Sequence, residues 1–296
     1  MPGAAMAESM AQSRRSRSLL RPIPTIRHMI SLLKLAMAGC LAAGLAACST
    51  PPMAPPASVS DLAPTGKLRA AINFGNPVLA AKDPSTGEAR GVSVDLAREL
   101  ARRLGVPLEI VPYTAAGQVV EGLKSGAWDV AYLAIDPARA VDIGYSAPYV
   151  VIEGTYLVRE GSTIRRNEDV DRDGVRVAVG KGSAYDLFLS RELKKATIVH
   201  APTSQAVTDL FVAQKLDVAA GVKQQLEADA KRVPGLRLLE GRFMVINQAM
   251  GTPKDREAGA KYLGEFVEDM KASGFVARAL ARHGIDGAVV APPAAR

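Results

Sequence analysis

The sequence predicts an α/β fold of mostly parallel sheets flanked by helices, and three observations predict it. Short apolar runs alternate with helical patterns from about residue 66 onward. A faint internal repeat points to two similar lobes. The composition, 48% hydrophobic and 23% charged over 296 residues, is that of a globular chain rather than a disordered one. No run of 18 or more apolar residues occurs, which excludes a polytopic membrane protein.

The elements follow in order. Leu68–Ile72 is a short apolar strand. Residues 94–104 place Leu96, Leu100 and Leu104 on one helical stripe, with Glu99 and Arg103 paired at i,i+4. Gly105 and Pro107 end that helix. Leu108–Val111 is a strand, 116–125 a helix stopping at Gly126, and Trp128–Ile135 a strand. Val175–Val179 is a strand, 184–194 a helix, and Ile198–His200 extended. A helix at 204–215 precedes a strand at Val218–Ala220, and helices at 255–272 and 274–283 close the chain.

The repeat lies in these elements. Residues 67–72, K-L-R-A-A-I, match 174–179, G-V-R-V-A-V, in pattern. Trp128-Asp129-Val130-Ala131 after Leu123 matches Leu216-Asp217-Val218-Ala219 after Val212. In each copy a helix ends, one Asp follows, and an apolar strand begins. Two similar lobes explain this, although any βα unit presents much of the same pattern.

The formal charge of +7 is concentrated at the N-terminus. Residues 1–47 carry six basic side chains and one acidic; without them 31 basic residues face 29 acidic ones. The basic pI then says nothing for nucleic acid as a partner. Residues 35–47 form a run of thirteen small or apolar residues after a basic stretch, and Met29 opens a compact leader. A helix of that length spans roughly 20 Å, too short for a bilayer and right for a secretory signal. Leu45-Ala46-Ala47-Cys48 resembles the lipobox of bacterial lipoproteins. That resemblance implies cleavage before Cys48, lipid on its thiol and a membrane-anchored periplasmic protein. Residues 48–65 then read as a Pro/Ala-rich tether that builds no core. Cys40 and Cys48 are the only cysteines, so the mature chain has no disulfide or Cys-based metal site.

Catalytic and cofactor signals are missing. The three histidines, 28, 200 and 283, are scattered, so no metal is expected. Gly180-Lys181-Gly182-Ser183 approaches a P-loop, but Val175 stands where a glycine is required. No G-x-S-x-G elbow and no basic-aromatic interleaving is present. The expectation is a non-enzyme without a cofactor.

What remains is a resemblance. Residues 91–104 (G-V-S-V-D-L-A-R-E-L-A-R-R-L), 123–139 (L-K-S-G-A-W-D-V-A-Y-L-A-I-D-P-A-R) and 145–149 (Y-S-A-P-Y) resemble the type II periplasmic solute-binding proteins of amino-acid ABC importers. The likeness runs from about 66 to 285. It implies a two-lobe periplasmic binding protein-like fold with two hinge crossovers, near 150–157 and 244–250. Lobe one is then 66–153 with 248–290, and lobe two is 154–247. It also implies that Arg139 grips a ligand carboxylate, which suits a planar, always charged guanidinium. Ser183 and the Ala184 N–H face the same carboxylate from the other lobe. Asn73 supplies a polar contact, Phe74 and Tyr132 supply walls, and Ala134 stands at a strand position the family uses for Ser or Thr.

Departures sharpen the reading. Asp136 replaces the family's Thr before the Arg, and Val222 replaces the Asp that pairs with an α-ammonium. A buried cation without a partner is costly. The expected ligand is a small carboxylate whose amine is absent or held by Glu153 or Asp136. A monomer would close on it and deliver it to a permease. Two other functions share this fold: a periplasmic cyclohexadienyl dehydratase with Asp136 or Glu153 as its acid, and a ligand sensor docking on a receptor.

Overall fold

The structure is a computed structural model, and it describes residues 54–295. The expected signal peptide and the expected lipid site, Cys48, lie outside the described residues. The strands are β1 (Leu68–Asn73), β2 (Ala81–Lys82), β3 (Ala89–Arg90), β4 (Leu108–Tyr113), β5 (Val130–Ala134) and β6 (Ile143–Arg159). They continue as β7 (Arg176–Gly180), β8 (Thr197–Ala201), β9 (Val218–Val222), β10 (Leu236–Leu238), β11 (Met244–Pro253) and β12 (Val289–Val290). Ten of them form one sheet whose main path is β4-β1-β5-β11-β6-β9-β7-β8.

Each end of that sheet is parallel. β1 lies between β4 and β5, and β7 lies between β8 and β9. Helices Val92–Leu104 and Ala116–Lys124 connect the first trio; Ala184–Glu192 and Val207–Ala213 connect the second. The centre is antiparallel, because β11 runs against both β5 and β6, and β6 runs against β9. The fold is therefore a mixed α/β sheet with flanking helices.

The repeat is built into the two trios. Asp129 Oδ2 accepts the Arg69 N–H at 3.1 Å, and Asp217 Oδ2 accepts the Arg176 N–H at 2.8 Å. The Asp backbone N–H returns the bond to the carbonyl of Arg69 or Arg176. In both trios this exchange ties the first strand to the start of the third. Asp129 also holds the Arg69 guanidinium, with Nη2 2.7 Å from Oδ1.

β6 and β11 are absent from the sequence-based element list. β6 has 17 residues and passes from pairing with β11 to pairing with β9 near Gly154. A Cβ on Gly154 would lie 2.7 Å from Met244 Cγ, so glycine there leaves room for the Met244 and Phe243 side chains. The helix Lys223–Arg232 is a further unpredicted element.

The expected tether needs correction from Ala54 onward. Pro56–Leu62 is a helix with proline in its first turn, where a missing N–H costs nothing. Leu62 is fully buried, and Ala54 and Ala63 are buried too. The Ser58 hydroxyl donates to the Ala258 carbonyl at 3.2 Å, and Asp61 Oδ2 accepts the Gly259 N–H at 2.9 Å. This segment docks on the helix Glu257–Ala272. Val59 and Leu62, three residues apart, supply an apolar stripe that the prolines around it obscure.

Candidate functional site

The parallel strands β1, β5, β7 and β9 point their carboxyl ends at one cleft, the place where α/β sheets bind ligands. Asn73, Ala134, Ser183, Ala184 and Val222 line it with Tyr132 and Arg139. The cavity within it measures about 50 Å³, room for roughly three to five waters or one small molecule.

Arg139 is set by the turn after β5. Asp136 Oδ1 accepts the Ala138 N–H at 2.9 Å, and the Arg139 N–H bonds to the Asp136 carbonyl at 3.0 Å. The side chain is 3% exposed. Its Nη1 donates to the Ala134 carbonyl at 2.9 Å and its Nη2 to the Gly182 carbonyl at 2.8 Å. Nε is buried and has no partner. Among the described residues no carboxylate comes within 4.0 Å of this guanidinium. Burial pushes its pKa down, against the pull of Tyr145 and Asp136. An arginine still stays protonated.

Gly182 belongs to the facing trio. Its N–H donates to Asp186 Oδ2 at 2.7 Å, and the Ser183 hydroxyl accepts the Asp186 N–H at 3.0 Å, capping Ala184–Glu192. The Ala184 N–H is in the first helical turn and has no intrahelical acceptor. His200 Nε2 lies 2.9 Å from Asp186 Oδ1 behind the loop.

Three more contacts cross the cleft. Arg191 Nη2 lies 2.8 Å from Asp136 Oδ2. Gln205 Nε2 donates to the Phe74 carbonyl at 3.3 Å. Gly117 and Gly182 touch backbone to backbone, and a Cβ on Gly182 would stand 2.8 Å from the Gly117 Cα. The cleft is closed in this arrangement.

Residues 68–285 match the family described as bacterial extracellular solute-binding proteins, family 3. That span is most of the chain. The chain belongs to this family.

Its fold is shared with solved structures: a mutant of ArgBP from T. maritima superposes at a TM-score of 0.66 with 22% identity, covering 77% of this chain and 99% of that one. A curated relative, the cyclohexadienyl dehydratase of Pseudomonas aeruginosa, is 26% identical over 64% of this chain and 72% of its own. The glutamine-binding protein of Geobacillus stearothermophilus is 23% identical over 67% of this chain and 77% of its own. The type II periplasmic binding-protein fold and the solute-binding role follow from the family.

In this solute-binding protein the closed cleft brings together Arg139, Ser183, Ala184, Asn73, Tyr132 and Ala134. Phe74 is not in the lining; Lys82 Nζ lies 5.7 Å from its ring centroid. Asn73 turns its Oδ1 onto the Gly75 N–H at 2.9 Å. Asp136 and Glu153 do not line the cleft either. Glu153 holds Arg242 Nη1 at 2.6 Å and Lys223 Nζ at 3.4 Å.

Sequence reading missed Tyr185, Ser93, Asn76 and Gln248, which also line the cleft. Tyr185 follows the Gly182–Ala184 turn directly, so its place was the most accessible to inference. Burial raises the pKa of Tyr132 and of Tyr185, keeping both phenols neutral donors. Tyr149, from the Y-S-A-P-Y stretch, packs edge-on against Tyr132 with centroids 6.4 Å apart, and its hydroxyl is 2.9 Å from Ser93 Oγ.

Proposed function

We propose that this protein captures a small carboxylate or amino-acid-like solute between two lobes and delivers it to an ABC permease of the inner membrane. Lobe one is 66–153 with 248–290, and lobe two is 154–247. The observation that carries this reading is Arg139, a buried guanidinium on a cavity with no carboxylate within 4.0 Å among the described residues. Such a cation favours an anionic occupant strongly. The carboxylate sits between Arg139 and the turn at Ser183 and Ala184, whose helix terminus adds N–H donors. Only the closed form presents both sides, so the ligand stabilises closure. Signal peptide, lipid on Cys48 and a monomeric state complete the proposal.

Binding rather than catalysis is supported by the cleft itself. A dehydratase of the cyclohexadienyl type needs a positioned acid, and both candidates are engaged elsewhere: Asp136 with Arg191, Glu153 with Arg242 and Lys223. Incubation with prephenate or arogenate should yield no product.

Thermal denaturation with a panel of carboxylates tests the binding reading. A ligand at about 100 times its Kd adds roughly 2.7 kcal/mol, a few degrees in Tm for a chain of this size. The shift should vanish in Arg139→Ala. No shift with any carboxylate overturns the reading.

A further inference from the structure

The cleft lining contains one charged side chain, Arg139, and no Asp or Glu. Two acids on the turns that carry Arg139 and Ser183 are occupied. Asp136 pairs with Arg191, and Asp186 faces the Gly182 N–H, Ser190 and His200. An ammonium group brought in by an α-amino acid would meet no carboxylate. It would also place a second cation beside Arg139 in a water-poor space, where like charges repel strongly.

The neutral groups left over are specific. The Tyr132 hydroxyl is buried without a partner, and so is Asn76 Oδ1, whereas the Tyr185 hydroxyl lies against Ser183, Ser204 and the Gly180 backbone. Tyr132 is 4% exposed and Tyr185 2% exposed, so neither hydroxyl is served by bulk water. The neutral Tyr132 phenol matches an oxo or hydroxyl oxygen as a donor, and the amide oxygen accepts from a hydroxyl.

We infer that the solute is a short monocarboxylate that carries an oxo or hydroxyl oxygen in place of an amine. This rests on carboxylate capture by Arg139 and adds the class of carboxylate. A single negative charge balances the single buried cation of the lining. A dicarboxylate would leave an excess charge in the same space.

Calorimetric titration of the purified full chain, kept in detergent, tests this with matched pairs. Pyruvate and L-lactate are compared with L-alanine, and 2-oxoisovalerate with L-valine. The amine-free member of a pair should bind at least about tenfold tighter. Val222 lines the same cleft, and V222D places a carboxylate there. That variant, checked by its melting curve, should lose the oxo acid and gain the amino acid. Amino-acid binding equal to or tighter than the oxo or hydroxy acid, and lost in R139A, overturns the inference while carboxylate capture stands. No binding of any member, with wild type folded, overturns both.

Discussion

Asp136 and Arg191 lie 55 residues apart in sequence and 2.8 Å apart across the cleft. Their ion pair joins the two halves of the sheet and engages the Asp136 carboxylate, three residues before Arg139, with a different guanidinium. This contact therefore helps to hold the cleft closed while the Arg139 Nε stays without a partner. The Asp136 side chain is 4% exposed and that of Arg191 43%, so water screens one end of the pair. Arg191→Ala should weaken ligand binding about fivefold, roughly 1 kcal/mol for a half-exposed pair. Titration calorimetry reads it; unchanged or tighter binding would show that the pair takes no part in closure.

Arg139 sets binding against stability. An ion buried without a counter-ion costs several kcal/mol, against which stand two hydrogen bonds to backbone carbonyls. Arg139→Met keeps the volume and removes the charge. The ligand-free variant should melt no lower than wild type, while binding falls by about a hundredfold or more, the loss of roughly 3 kcal/mol. Melting curves and calorimetry on the same sample check it. A Tm several degrees lower would make Arg139 a structural residue.

The elements that repeat in βα units were legible because their apolar residues follow simple periods. β6 was not. Gly144, Pro148 and Gly154 interrupt it, and its buried positions do not alternate, since it is covered first by one set of neighbours and then by another. The helix Lys223–Arg232 hides for a different reason: its N-cap is Val222, with no side-chain cap, and of its ten residues only Leu226 and Asp229 are buried. The cleft residues were legible where a motif marks a strand end, as with Arg139 and Ser183. Phe74 was misplaced because nothing local says which way a side chain leaves such an end. The partner of Asp136 could not be read at all, because it depends on the closure of two halves.

Acid stability should be carried partly by Asp129. Burial pushes its carboxyl up, but hydrogen bonds from Arg69 and Arg256 outweigh this and hold its pKa below the ordinary value. A carboxylate with a depressed folded-state pKa stabilises above its unfolded value, about 3.9, and that contribution is lost as pH falls through the folded pKa. Asp129→Asn should lower stability at pH 7, and its stability should fall less steeply than wild type below about pH 4. Urea midpoints across pH test this; parallel acid limbs would sink it.

The N-terminal helix should be integral to the body. Leu62 is fully buried against the helix Glu257–Ala272. Leu62→Ala should cost about 2–5 kcal/mol in urea unfolding. A loss under about 0.5 kcal/mol, the range of surface substitutions, would make the segment a tether after all.

Gly182 gives the most direct access to closure. Its φ is +69°, a left-handed conformation that costs a side chain about 1 kcal/mol. That cost falls on open and closed forms alike. The added Cβ acts differently, because 2.8 Å from the Gly117 Cα is closer than carbon atoms approach, and the obstacle is backbone on both sides. The clash exists only when the two halves meet. Gly182→Ala should therefore shift the population toward the open form and weaken binding by more than its effect on folding. The Arg139–Gly182 bond, 2.8 Å here, would be stretched by the same displacement. Small-angle scattering of the ligand-free variant should give a larger radius of gyration than wild type, and saturating ligand should bring it only part of the way back. Equal radii with and without the substitution would mean that the halves close without the Gly117–Gly182 contact.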